Sequence, residues 1–196
     1  MTEKKFDLRL WIFNHRDYTP VPLILAALIL ARPTAASFVA GLAVAAAGEL
    51  IRIWGVAYAG AITRTTSGPK ANDLVVSGPY AYMRNPLYAG NFFIATGMCV
   101  AAWPWMPWML LIVAAFYIFQ YGLIISLEEE FLRQKFGETY AEYARQVPRI
   151  FPRIRPFRSG QKLAPSLKAA LRSERSTFGS FFLVALLIFL RWQLWR

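Results

Sequence analysis

The chain has 196 residues, of which 57% are hydrophobic, 16% aromatic and 17% charged, and its formal net charge is +11. This balance excludes an ordinary soluble domain, which needs more polar surface, and several apolar runs approach the ~20 residues that cross a bilayer core. The basic excess fits the Lys and Arg that collect in cytoplasmic loops of membrane proteins rather than nucleic-acid binding. One cysteine, Cys99, allows no internal disulfide, and one histidine, His15, allows no histidine-based metal site or catalytic triad.

The expected fold is all-α: a polytopic membrane bundle of about five transmembrane helices with a cytoplasmic amphipathic helix. An interfacial segment at 6–13 precedes a short first helix at about 18–31, whose leader holds Glu3, Asp7 and Asp17 and so reads poorly as a signal peptide. Pro33 turns the chain. A second helix covers about 35–62, long enough to project beyond the hydrocarbon. The third and fourth, at about 87–103 and 107–127, are joined by the tryptophan- and proline-rich hairpin at 103–108, suited to headgroup level. A fifth run at 177–190 is short. Residues 1–160 form the expected core, and 161–196 a basic linker with an additional hydrophobic helix.

Eleven of the 22 Lys and Arg fall in residues 133–175 and three in 63–86, whereas the 103–108 hairpin has none. The N-terminus, the 63–86 loop and the 128–175 segment are therefore expected in the cytoplasm, with the spans in a cell (inner) membrane. Glu49 and Arg52 sit three residues apart near the middle of the second helix, on one face. Ionisable groups at that depth face a partner or a cavity; the pair either neutralises itself or lines a substrate cavity.

Two segments carry the chemistry. In "SGPYAYMRNPLYAGN", residues 77–91, Gly78 and Pro79 force a turn and Pro86 suits the first position of a helix. The free N–H groups at that helix start, next to Arg84, favour an anion, and Arg84 could grip a carboxylate with two hydrogen bonds. Tyr80, Tyr82 and Tyr88 add rings and hydroxyls. The bland alternative is a headgroup anchor in the aromatic belt. In residues 127–154, Glu128, Glu129 and Glu130 stand on a surface otherwise basic, followed by Phe131, Leu132, Phe136, Tyr140 and Tyr143 at amphipathic spacing. A cation for a carboxylate beside carboxylates for a cation suits a zwitterion with an aromatic end, such as S-adenosylmethionine.

Together these segments resemble the isoprenylcysteine carboxyl methyltransferase and phospholipid methyltransferase superfamily of membrane enzymes. Gly78, Pro79, Tyr80, Arg84, Pro86, Tyr88 and Gly90 match one motif block. Glu128, Glu129, Leu132, Phe136, Gly137, Tyr140, Tyr143, Pro148, Arg149 and Pro152 match the second, over roughly residues 48–152. Asn85 stands where many members have histidine, which removes a group titrating near neutrality. The resemblance implies an S-adenosylmethionine-dependent methyltransferase acting at the cytoplasmic face on a lipophilic acceptor from the bilayer. It implies Arg84 and Asn85 near the donor's carboxylate, Glu128 or Glu129 on its ammonium, and Tyr80, Pro86, Tyr88 and Gly90 shaping the pocket. Phe136, Tyr140 and Tyr143 would cover the adenosine. A carboxylate acceptor is slightly preferred to a phospholipid amine. An NADPH-dependent reductase of related architecture and a non-enzymatic lipid-binding protein are the alternatives. No metal is expected.

Overall fold

The computed structural model describes residues 6–60, 69, 71–158 and 164–194. Among them the fold is entirely helical: α1 (Leu8–His15), α2 (Val21–Ile29), α3 (Ala35–Ala59), α4 (Pro86–Ala102), α5 (Trp108–Gln146), α6 (Leu167–Ser173) and α7 (Arg175–Leu194), with a 3-10 turn at Gly78–Ala81. Residues 61–62 of the expected second helix and the expected boundary at 160 lie outside the described residues. Three helices, α3, α5 and α7, are long and apolar enough to cross a membrane, and α4 is a shorter apolar helix of 17 residues.

The segment expected at 6–13 is the helix α1, and the first helix expected at about 18–31 is the shorter α2, with a turn at 16–20 between them. Nine residues of α2 rise only about 13 Å, under half of a hydrocarbon core. α1 runs beside α5. Arg9 pairs with Glu130 at 2.8 Å, Ile12 and Phe13 pack on Tyr121, Ile124 and Ile125, and Thr19 Oγ1 donates to Gln120 at 2.7 Å. Past α2, the Arg32 N–H donates to the Ala102 carbonyl at 2.9 Å. The turn at 16–20 leads from α1 to α2 with Tyr18 exposed, while Arg16, Asp17 and Pro20 border a cavity.

Small residues set the central packing. A Cβ added at Gly41 would stand 2.2 Å from the Ala101 nitrogen, and one at Gly97 2.5 Å from the Ala45 nitrogen. The backbones of α3 and α4 thus touch, as glycine permits in membrane helix pairs. Thr34 and Ser37 start α3 with a reciprocal capping box, and Pro86 opens α4. α5 continues through the three glutamates without a stop. Its one non-helical residue is Gly137, at φ 53°, and it ends at Gln146 as Val147 turns extended.

Candidate active site

The two motif blocks fold into one unit at one end of the bundle. Gly78 has φ 62° and no room for a Cβ beside the Tyr58 ring, so only glycine makes this turn without strain. The following loop is stitched to the strap after α5. The N–H groups of Arg84 and Asn85 donate to the carbonyls of Pro148 and Arg149 at 2.9 and 3.0 Å, while those of Arg153 and Phe157 donate to Tyr82 and Ala81 at 3.0 and 2.8 Å. The Tyr143 hydroxyl donates to the Tyr80 carbonyl at 2.7 Å.

Glu129 is the hub of this unit. Arg84 donates to its Oε1 from Nε and Nη2 at 3.1 and 2.8 Å, and Arg149 donates to both carboxylate oxygens, Nη2 at 2.8 Å from Oε2. Arg84 Nη1 adds bonds to the Ala144 and Val147 carbonyls at 2.6 and 2.9 Å, satisfying acceptors that the end of α5 leaves over. The Arg84 and Glu129 side chains are only 11% and 7% exposed, against 62% for Arg149. Charge-assisted bonding to Glu129 raises the Arg149 pKa.

Glu128 is placed differently. Tyr88 donates its hydroxyl to Glu128 Oε1 at 2.7 Å, and the carboxylate faces a cavity of about 740 Å³. That volume lies within the range of small-molecule sites. Its polar end is bordered by Tyr80, Arg84, Asn85, Glu128, Tyr140 and Tyr143. Burial and the Glu128 charge push the Tyr80 phenol well up, so it stays protonated. An apolar arm continues between Leu28 of α2, Met98 and Cys99 of α4, Val113 of α5, and Val184 and Ile188 of α7. One hollow thus joins an amphoteric mouth to an apolar interior. The phospholipid methyltransferase profile matches residues 36–139, which hold the α3–α4–α5 frame of this hollow.

The chain belongs to the phospholipid methyltransferase family. It is 36% identical over 107 residues to the cobalt-zinc-cadmium resistance protein CzcN of Cupriavidus metallidurans, covering 55% of this chain and 45% of that one. It is 29% identical to a protein-S-isoprenylcysteine O-methyltransferase of Tribolium castaneum (60% and 42% covered) and 33% identical to one of Schizosaccharomyces pombe (43% and 35%). The chain spans less than half the length of these relatives. No solved structure matches it significantly.

Within this phospholipid methyltransferase family fold, the residues singled out in sequence for the donor's pocket divide into two groups. Tyr80, Arg84, Asn85, Pro86, Tyr88, Glu128, Glu129, Tyr140 and Tyr143 all border the hollow. Gly90 and Phe136 do not. A Cβ on Gly90 would meet Arg52 Cγ at 2.6 Å and the Gly48 carbonyl at 2.7 Å, so this glycine serves the α3–α4 contact. Phe136 packs behind the site with Val76, Tyr140, Tyr143 and Val147.

Arg84 is also placed otherwise than expected. Four of its five N–H groups are engaged by Glu129 and the end of α5, so a two-pronged grip on a ligand carboxylate would require breaking them. Asn85 donates its side-chain amide to the Arg149 carbonyl at 3.2 Å, where the strap meets the loop.

Glu49 and Arg52 are 3.8 Å apart, but the stronger partner of Arg52 is Glu174, whose carboxylate accepts three hydrogen bonds of 2.8–3.2 Å from Nε and Nη2, with Asn91 as a further acceptor. Arg52 borders the hollow; Glu174, fully buried, comes from the segment after the motif blocks. Leu132, Asn91, Tyr117, Tyr121 and the Arg16–Asp17 corner also line the hollow. Asn91 directly follows the first block and could have been found by its helical step from Leu87. The Arg16–Asp17 corner carries no such signal.

Proposed function

We propose that the protein transfers a methyl group from S-adenosylmethionine to a lipophilic acceptor at the cytoplasmic face of the membrane, a carboxylate of isoprenylcysteine type being preferred. The observation that carries this reading is the single hollow in which a cavity-facing Glu128, a ring of tyrosines and an apolar arm meet.

The donor set fits such a methyl donor. Glu128 would hold the ammonium, Asn85 and the remaining N–H of Arg84 the carboxylate, and Tyr80, Tyr88, Tyr140 and Tyr143 the surroundings of the adenine and the sulfonium. Bound there, S-adenosylmethionine supplies a methyl carried on a cationic sulfur, ready for in-line displacement. The protein's work is alignment and exclusion of water. Glu129, locked by two arginines, holds the loop and the strap in register and keeps the mouth shaped.

A carboxylate acceptor is ionised already and requires no base. With Glu129 committed to Arg84 and Arg149, and Glu128 assigned to the donor's ammonium, this acceptor suits the site better than an ammonium headgroup. Dinucleotide phosphates would need cations, yet Arg52 and Arg84 are both neutralised within the protein.

S-adenosylhomocysteine is expected to raise the melting temperature of the detergent-solubilised protein, and NADPH to leave it unchanged. A shift with NADPH alone would overturn the reading. Incubating native membranes with methyl-labelled donor decides the acceptor: base-labile product label means an ester, base-stable label an N-methylated phospholipid.

A further inference from the structure

α7 lies beyond the family-matched stretch of 36–139, yet it supplies a whole side of the hollow. Its inner face reads, in chain order, Ser176, Thr177 and Ser180, then Phe181, Val184 and Ile188, all bordering the cavity. The outer face is made of Phe182 (66% exposed), Leu183 (56%), Leu186 (52%) and Leu190 (45%). An apolar helix of 20 residues with one side on a cavity and the other bare is suited to lie between lipid and a site. Two contacts fix it there. At its start, the buried Glu174 is held by Arg52 of α3. Toward its end, Ile188, 1% exposed, packs among Met98, Ala101 and Ala102 of α4 and Ala31.

Resting on the reading above, we propose that α7 is the wall and floor of the compartment that receives the acceptor's apolar chain, with Ile188 closing its far end. Polar side chains border the mouth near Arg52, and the apolar stretch from Phe181 to Ile188 extends for about 10 Å at the helical rise. At this end Ile188 packs with Ala31, Ala45, Met98, Ala101 and Ala102, of which Met98 and Ala102 also border the cavity. The ligand is therefore an amphiphile that inserts one hydrocarbon chain alongside α7, and the bulk of residue 188 sets how far it reaches. Whether that chain is isoprenoid or acyl, the recognising chemistry is the same.

The test uses the full chain in nanodiscs carrying either phosphatidylethanolamine with a diazirine at its acyl end or a farnesylated N-acetylcysteine with a terminal diazirine. After photolysis, adducts are mapped by peptide mass spectrometry. The expected result is labelling of Val184, Ile188 and Met98 that unlabelled probe competes away, by whichever probe shares the acceptor's chemistry. Ile188→Trp should abolish the inner-face adducts and leave those on Leu183 and Leu186, with the S-adenosylhomocysteine melting shift unchanged. Should that variant fold poorly, Val184→Phe reads the same loss one turn nearer the mouth. Adducts confined to Phe182, Leu183, Leu186 and Leu190 with both probes would overturn the proposal. Inner-face labelling in a protein that shows neither a donor-analogue shift nor methyl transfer would support the compartment and overturn only the methyl-transfer reading.

Discussion

Glu129→Ala isolates the role of the buried ion pair. The substitution removes the acceptor shared by Arg84 and Arg149, but the two guanidiniums respond differently. Arg149, 62% exposed, is taken over by water, and an exposed bridge of this kind contributes about 0–1 kcal/mol. Arg84, 11% exposed and wedged against the last carbonyls of α5, keeps its charge without its carboxylate. Stranding one member of a buried pair costs about 3–5 kcal/mol. For a chain of this size, with about 2–4 °C per kcal/mol, the melting temperature should fall by about 6–20 °C.

Arg149→Ala should cost less than about 1 kcal/mol. The double variant Arg84→Leu with Glu129→Leu should be milder than Glu129→Ala, because no charge is left stranded. Tryptophan-fluorescence melts of the detergent-solubilised variants measure all three. If Arg149→Ala is as damaging as Glu129→Ala, or if Glu129→Ala melts with the parent, the assignment of the cost to Arg84 is refuted.

Glu128→Gln keeps the Tyr88 contact while removing the charge, so the melting temperature should hold and the S-adenosylhomocysteine shift should vanish; a retained shift in thermal melts would move the donor's ammonium elsewhere. Arg52→Leu removes the guanidinium bonded to the fully buried Glu174 and should lower the melting temperature, whereas Arg52→Leu with Glu174→Leu should recover much of that loss in the same melts. Gly97→Leu forces α4 off α3, where a single Cβ already meets the Ala45 nitrogen at 2.5 Å, and overpacking of this kind costs about 1–3 kcal/mol or more. Expression and melting of Gly122→Leu, where a Cβ meets nothing within 4 Å, provide the comparison.

Much of this protein could be read without coordinates, because bilayer physics is written locally. A run of apolar residues, a proline at a helix start, or a tryptophan-rich hairpin has its meaning within a few positions, so α3, α4, the 103–108 turn and the spanning part of α5 stood where patterning put them. The family relation was equally local, carried by fixed spacings in two blocks. The ion pairs were not legible. A guanidinium has a choice of carboxylates, and chain order offered Glu49 to Arg52 when the fold gave it Glu174, and offered Arg84 a ligand when the fold gave it Glu129. Gly90 looked like part of a binding motif, but its missing side chain makes room for Arg52.

The sequence by itself determined that the chain lies in a membrane, where its long apolar helices fall, and which polar residues are numerous enough at one end to do chemistry; α6 lies in the stretch expected as a linker. Only the tertiary structure decided which charges cancel, that α1 packs along α5, and that the C-terminal helix walls the hollow. The reason is that hydrophobicity and propensity act along neighbouring residues, whereas charge neutralisation and cavity shape depend on pairs brought together from far along the chain, as with Arg52 and Glu174.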